Sequence, residues 1–239
     1  MYLTPRKRGF TLIELLVVVA VIGALIAILV PSLSAARASA YKVRCGTNLR
    51  SLAQADQQYA ADYNGMISRD SGVLNGVNIP SIFFLLALEM RVPLNASGGN
   101  ANFESQYALA YSQIKWLNCP SFPENGRPVC YVVNAYDPRK PDTEIGFMPL
   151  KRIYRPSEVS NFTEANINVP RDSFDVYDLW MTGHIATNTN TAVVGGSSAG
   201  RIQSDLRHKK DINLSFYDAH VEPMPLKYVT NNMHLFTGN

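Results

Sequence analysis

Two groups of residues in this chain have types and spacings that could do chemistry. The first centres on Glu14, the only ionisable residue between Leu12 and Val30. An unpaired acid in hydrocarbon costs about 3 kcal/mol on insertion scales, so this carboxylate calls for a cation as partner. Just before it stand Arg6, Lys7, Arg8 and Gly9. Glycine has no side chain, so the backbone at Gly9 is open to close approach by another group. The second group is His208, Asp211, Asp218 and His220. Asp218 and His220 would share one face of a strand, where a metal or an acid–base pair is conceivable. The preferred reading is turn and edge residues held by hydrogen bonds, with no metal and no cofactor.

Other chemistries lack their motifs. There is no Gly-x-Ser-x-Gly elbow to present a nucleophilic serine. Gly195-Gly196-Ser197-Ser198-Ala199-Gly200 has no Lys-Ser/Thr to make a phosphate loop and reads as a flexible loop. Trp116 and Trp180 are expected as core or interface anchors. The three cysteines, Cys45, Cys119 and Cys130, contain no Cys-x-x-Cys, so a zinc ribbon or thioredoxin-like site is not expected. Of 22 basic residues against 19 acidic ones, three lie in the first nine positions, so the rest of the chain is balanced. A balanced body has no excess positive charge for phosphate backbones, and no nucleic-acid partner is expected.

The elements that must position these residues follow from the apolar pattern. The 239 residues are 46% hydrophobic and 17% charged, which excludes wholesale disorder. As a helix, residues 12–30 would be about 29 Å long, matching a bilayer core of about 30 Å. The basic residues before it predict a cytoplasmic N-terminus and an exported body. A secretory signal peptide, cut loosely near Ala35–Ala38, or a plain signal anchor would also explain the basic and apolar runs, but neither explains Glu14. Beyond Pro31 an apolar stripe continues at three- and four-residue steps, from Leu33 through Cys45, Leu49, Leu52 and Tyr59 to Tyr63, until Asn64-Gly65 supplies a stop. If Pro31 only kinks the helix, residues 11–63 form one rod of about 80 Å, apolar all round in its first half and amphipathic in its second.

Residues 65–239 read as strand-rich with turns. Ile82 to Met90 is a helix candidate, and Ile114–Leu117, Val129–Val133 and Ala192–Val194 are strand candidates. Asp211 to Pro223 alternates and then turns at Asp218-Ala219, as a β-hairpin near the end of a small antiparallel sheet would. Residues 161–204, rich in Asn, Thr, Ser and Gly, read as long surface loops. In an exported body, Cys119 and Cys130 would pair around a short loop. That pair is preferred to any with Cys45, which sits on the distant rod and is expected to stay reduced.

The run Arg6-Lys7-Arg8-Gly9-Phe10-Thr11-Leu12-Ile13-Glu14, with its apolar helix and Pro31, resembles the class III signal of type IV pilins and type II secretion pseudopilins. The resemblance is specific over residues 6–31, and the rod to Tyr63 suits that family's long N-terminal helix. Further on, Leu206-Arg207-His208 followed by residues 212–222 looks like the His-then-Asp-Gly tail of prepilin-type proteins found in planctomycetes and relatives, with Ala219 where that pattern has Gly.

The implied fold is α+β: a long N-terminal α-helix, membrane-spanning in its first half, packed on a small antiparallel-sheet, loop-rich head. Residues 1–9 would be a leader that is removed, 10–64 the helix with 12–30 as its transmembrane and filament-core part, and 65–239 the exported head. The resemblance implies a structural filament subunit, not an enzyme, in a type IV pilus-like filament or a type II secretion pseudopilus. A prepilin peptidase would cut between Gly9 and Phe10 and the new N-terminus would be methylated at Phe10. Phe10, Thr11 and Glu14 would serve assembly, and Gly23 and Pro31 would form a hinge. The implied partners are like or other pilin-type subunits, the peptidase, an inner-membrane assembly platform and, before assembly, membrane lipid. The precursor would span the inner membrane once with its N-terminus cytoplasmic, and the filament would be periplasmic or on the cell surface. The alternative is an exported binding or enzymatic domain that uses the helix only as an anchor.

Overall fold

The computed structural model describes residues 10–69, 72–74, 77–79, 82–91, 114–121, 129–136, 147–166, 178–179, 200–202, 208 and 211–238. The leader with Gly9, the strand expected at residues 192–194, the glycine-rich stretch before Gly200, and Trp180 lie outside the described residues. Helix α1 runs unbroken from Leu12 to Asp62 with Pro31 inside it. Its end follows the sequence signal. Asn64 and Gly65 take left-handed backbone, φ 54° and 75°, and the Gly65 N–H reaches back to the Ala60 carbonyl. That geometry satisfies carbonyls a helix end would otherwise leave unpaired.

The chain divides into two units, residues 1–40 and 41–239. In the first, the apolar side chains from Phe10 to Leu33 are exposed all round the helix. In the second, α1 is amphipathic and buries Cys45, Asn48, Leu49, Leu52, Ala53, Ala55, Asp56, Tyr59 and Ala60. The stripe expected from Leu33 is therefore covered only from Cys45 onward, and Val43 remains 68% exposed.

Short strands β1 (Met66–Ser68), β2 (Gly72–Leu74) and β3 (Val77–Ile79) precede helix α2 (Ile82–Glu89). Strands β4 (Tyr131–Asn134), β5 (Phe147–Pro149), β6 (Ser160–Glu164), β7 (Asp178–Leu179), β8 (Asp211–Phe216) and β9 (Val221–Pro225) follow, then helices α3 (Leu226–Asn231) and α4 (His234–Thr237). The main sheet has the order β7-β4-β6-β8-β9, antiparallel except for the parallel β4–β7 edge. Its register sets Val133 opposite Phe162, Thr163 opposite Leu214 and Leu214 opposite Glu222. One face buries Tyr131, Val133 and Phe162 with the second half of α1 and with α2. The other buries Val132, Ile212, Leu214 and Phe216 with α3 and α4. Alternation along each strand produces these two faces.

Four expectations are corrected. Lys115–Leu117 is a 3-10 turn, not a strand, because Leu117 bonds back to Ile114 while Cys130 caps its carbonyl. The polar stretch from Asn161 does not begin as a surface loop. Ser160–Glu164 is a central strand, and its buried Asn, Thr and Glu are each hydrogen-bonded. The disulfide joins Cys45 to Cys119, not Cys119 to Cys130, and Cys130 is a buried thiol outside the disulfide, donating to Asn118 Oδ1. Cys45 is accordingly oxidised rather than reduced. The stretch of α1 that carries it packs on the sheet, so a residue 74 positions away is nearer Cys119 than its neighbour in sequence.

Candidate functional site

Helix α1 begins on a reciprocal pair. Thr11 donates from its N–H and its hydroxyl to Glu14 Oε2, both at 2.8 Å, and the Glu14 N–H donates to Thr11 Oγ1 at 3.3 Å. This is a capping box, in which residues three apart satisfy each other's otherwise unpaired backbone donors. The Thr-x-x-Glu spacing was readable in the sequence, and it supplies a local partner for the carboxylate that the apolar pattern alone does not reveal. Phe10, just outside the cap, is 76% exposed. From there the side chains facing outward are hydrocarbon for about five turns. A helix apolar all round is buried in lipid or against protein. Gly23 has open space around it, with nothing within 4 Å of where a Cβ would sit. At Pro31 the ring replaces an N–H that would have bonded the Ala27 carbonyl.

The head holds α1 by polar as well as apolar contacts. Arg69, fully buried, grips Asp56 with both terminal nitrogens, at 2.7 and 3.2 Å. Asn161 donates to the same carboxylate at 2.9 Å, and the guanidinium lies 5.0 Å from the Tyr217 ring centre. Burial works against the Arg69 charge, but Asp56 beside it more than offsets that and raises its pKa above the ordinary arginine range. Lys42 pairs with Asp211, and Gln57 donates to the Tyr217 carbonyl.

The four residues singled out between 208 and 220 do not form one site. Asp211 is committed to Lys42. Asp218 accepts from the His220 backbone and ring in the hairpin turn, and the His220 ring stacks on Phe216 at 4.2 Å. His208 lies buried elsewhere, with Nε2 2.9 Å from Glu164 Oε1 and 3.7 Å from Cys119 Sγ. Its Nδ1 has no hydrogen-bond partner among the described residues. Glu164 escaped the sequence reading because an acid inside a polar stretch gives no sign that the stretch is a central strand.

An acid-capped, wholly apolar helical segment leading into an α+β head is a pilin-like arrangement. Residues 4–30 match the prokaryotic N-terminal methylation motif. The chain is similar to the type IV major pilin protein PilA of Myxococcus xanthus, 43% identical over 58 residues, or 24% of this chain and 26% of that one. It is also similar to the type II secretion system core protein G of Escherichia coli, 30% identical over 79 residues, covering 33% and 54% of the two chains. The type IV wide pilus major component PilA4 of Thermus thermophilus is 37% identical over 70 residues, covering 29% and 53%. The chain thus spans from about a quarter to about half the length of these relatives. No solved structure matches it.

Proposed function

We propose that this chain is a structural filament subunit, made as a single-pass membrane precursor, cut between Gly9 and Phe10, methylated at Phe10 and polymerised through α1 into a pilus-like or pseudopilus filament. The observation that carries the reading is the joining of the methylation motif to an exposed, wholly apolar helical segment with an acid in its first turn. Anchoring explains the apolar surface but gives no use to the acid. Assembly uses both. Packing many such helices side by side buries the hydrocarbon, and an open filament needs two different faces to meet. In the precursor, Thr11 supplies Glu14 with local donors. In the polymer, the Phe10 amine of a neighbouring subunit would supply the opposite charge and fix the axial register.

Residues 1–9 would be the leader, 10–64 the assembly helix and 65–239 the exported head. The peptidase, an inner-membrane platform and other pilin-type subunits would be its partners. The deciding measurement is where the native protein goes when cells are sheared. Recovery in filaments supports the proposal, and retention in membranes as a monomer returns the chain to the reading of an anchored exported domain.

A further inference from the structure

Four side chains that the filament reading does not use converge inside the head. Cys45 comes from α1, Cys119 from the turn after the 3-10 segment, Glu164 from the end of β6, and His208 from just before β8. All four are buried, and one ligand atom from each lies within 4.8 Å of the others. We propose that they form a redox-gated zinc site: closed by the Cys45–Cys119 disulfide when oxidised, and able to take one zinc ion when that disulfide is reduced.

The donor set selects the metal. Two thiolates and an imidazole with one carboxylate suit zinc, whereas magnesium and calcium favour oxygen donors alone. Tetrahedral zinc at its usual bond lengths separates its ligand atoms by about 3.3–3.8 Å. His208 Nε2 already stands 3.7 Å from Cys119 Sγ, within that range, whereas its 2.9 Å hydrogen bond to Glu164 Oε1 has to lengthen by roughly 0.5 Å to admit the ion. The carboxylate is held in advance, since Asn213 donates to it from its backbone N–H at 3.1 Å and from its side chain at 3.0 Å. Outer partners of this kind orient ligands and tune affinity. With four protein ligands and no open position, the site is structural rather than catalytic.

The chemistry balances with a dithiol as reductant. Through a mixed disulfide, the dithiol gives two electrons to the Cys45–Cys119 bond. That bond breaks to two thiols, and the reductant ends as its own disulfide. Zinc then displaces both thiol protons. Binding through Nε2 requires the neutral imidazole with its remaining proton on Nδ1, so the hydrogen shared by Nε2 and Glu164 Oε1 is given up as the metal takes its place between them. The same two residues of α1 and of the head are thereby cross-linked in either redox state, once by sulfur and once by metal.

The test uses the full chain in detergent, with and without a phosphine reductant under argon. Each sample is given zinc sulfate and gel-filtered, and its metal is counted by mass spectrometry. One zinc per reduced chain and none per oxidised chain is expected. With cobalt instead, thiolate-to-metal charge transfer and tetrahedral visible bands are expected in the reduced sample alone. His208→Ala should lower zinc affinity by at least about tenfold, while Cys130→Ser, outside the cluster, should leave the stoichiometry unchanged. The comparison of the two wild-type redox states requires no substitution, so a variant that fails to fold does not weaken it. The proposal is overturned by a reduced chain that takes up no zinc, folded or not. Equal binding by the oxidised chain, or retention by the Cys45→Ser/Cys119→Ser double variant, would overturn it as well.

Discussion

Ala219 occupies backbone that side chains resist. Its φ is 68°, and it closes the β8–β9 hairpin, with its N–H on the Phe216 carbonyl while the Phe216 N–H bonds the carbonyl of His220. Three-residue hairpin loops place a left-handed residue at this position, and glycine is the residue that adopts it without steric cost. Ala219→Gly is therefore expected to stabilise the head by roughly 1 kcal/mol, read as a higher midpoint in urea at unchanged slope. At the other end of the chain, the capping box gives Glu14 two separable roles. Glutamine can fill the cap but carries no charge. If pairing with a neighbour's N-terminus drives assembly, Glu14→Gln and Glu14→Ala should both be inserted and cleaved yet yield few or no filaments, and Glu14→Asp should assemble in part. Wild-type filament yield from Glu14→Gln would show that capping is the whole role.

Secondary elements were legible where local chemistry decides them. The Asn64-Gly65 stop, helix α2 and the β8–β9 hairpin were legible because each is specified by neighbours in the sequence. Strand β6 was hidden because its polar residues are paid for by partners on other segments: Asn161 by Asp56, Thr163 by Asn213, Glu164 by His208. The disulfide was hidden for the same reason, since closeness in sequence says little about contact between a helix and a turn. Both features tie α1 to the rest of the head, and their strengths can be compared. Cys45→Ser/Cys119→Ser should destabilise the head by about 4 kcal/mol in the chain-entropy model for the 74-residue separation. Asp56→Ala, which leaves the Arg69 charge buried without that carboxylate, should cost about 3–5 kcal/mol. Denaturant titration of the two variants checks both figures, and a loss below 1 kcal/mol for Asp56→Ala would mean that water replaces the carboxylate.

For the whole molecule, the proposed filament role carries two expectations, one about processing and one about bending. Mass spectrometry of the native protein is expected to find a chain that starts at Phe10 and carries a methyl group on its amine. An intact Met1, or cleavage near Ala38, would remove the filament reading. Residues 23–31 are the least secure part of the apolar helix, because a glycine weakens a helix by about 1 kcal/mol relative to alanine and Pro31 removes a hydrogen bond. In lipid such a segment must stay helical, since freed backbone groups would find no partner there. Packed in a filament it is expected to bend or unwind, and a filament map showing straight helix from Thr11 to Tyr63 would count against this.

The position of the disulfide within α1 has a mechanical meaning. The covalent bond at Cys45 and the ion pair at Lys42 lie within the first few residues of the unit that begins at Tyr41. A pull along the apolar part of α1 would reach this fastening before it reached the buried stripe from Asn48 to Ala60 or the ion pair at Asp56. Peeling the helix out of the head would therefore require rupture of a sulfur–sulfur bond early on, so the oxidised chain should extend under tension through its helix while the head stays shut.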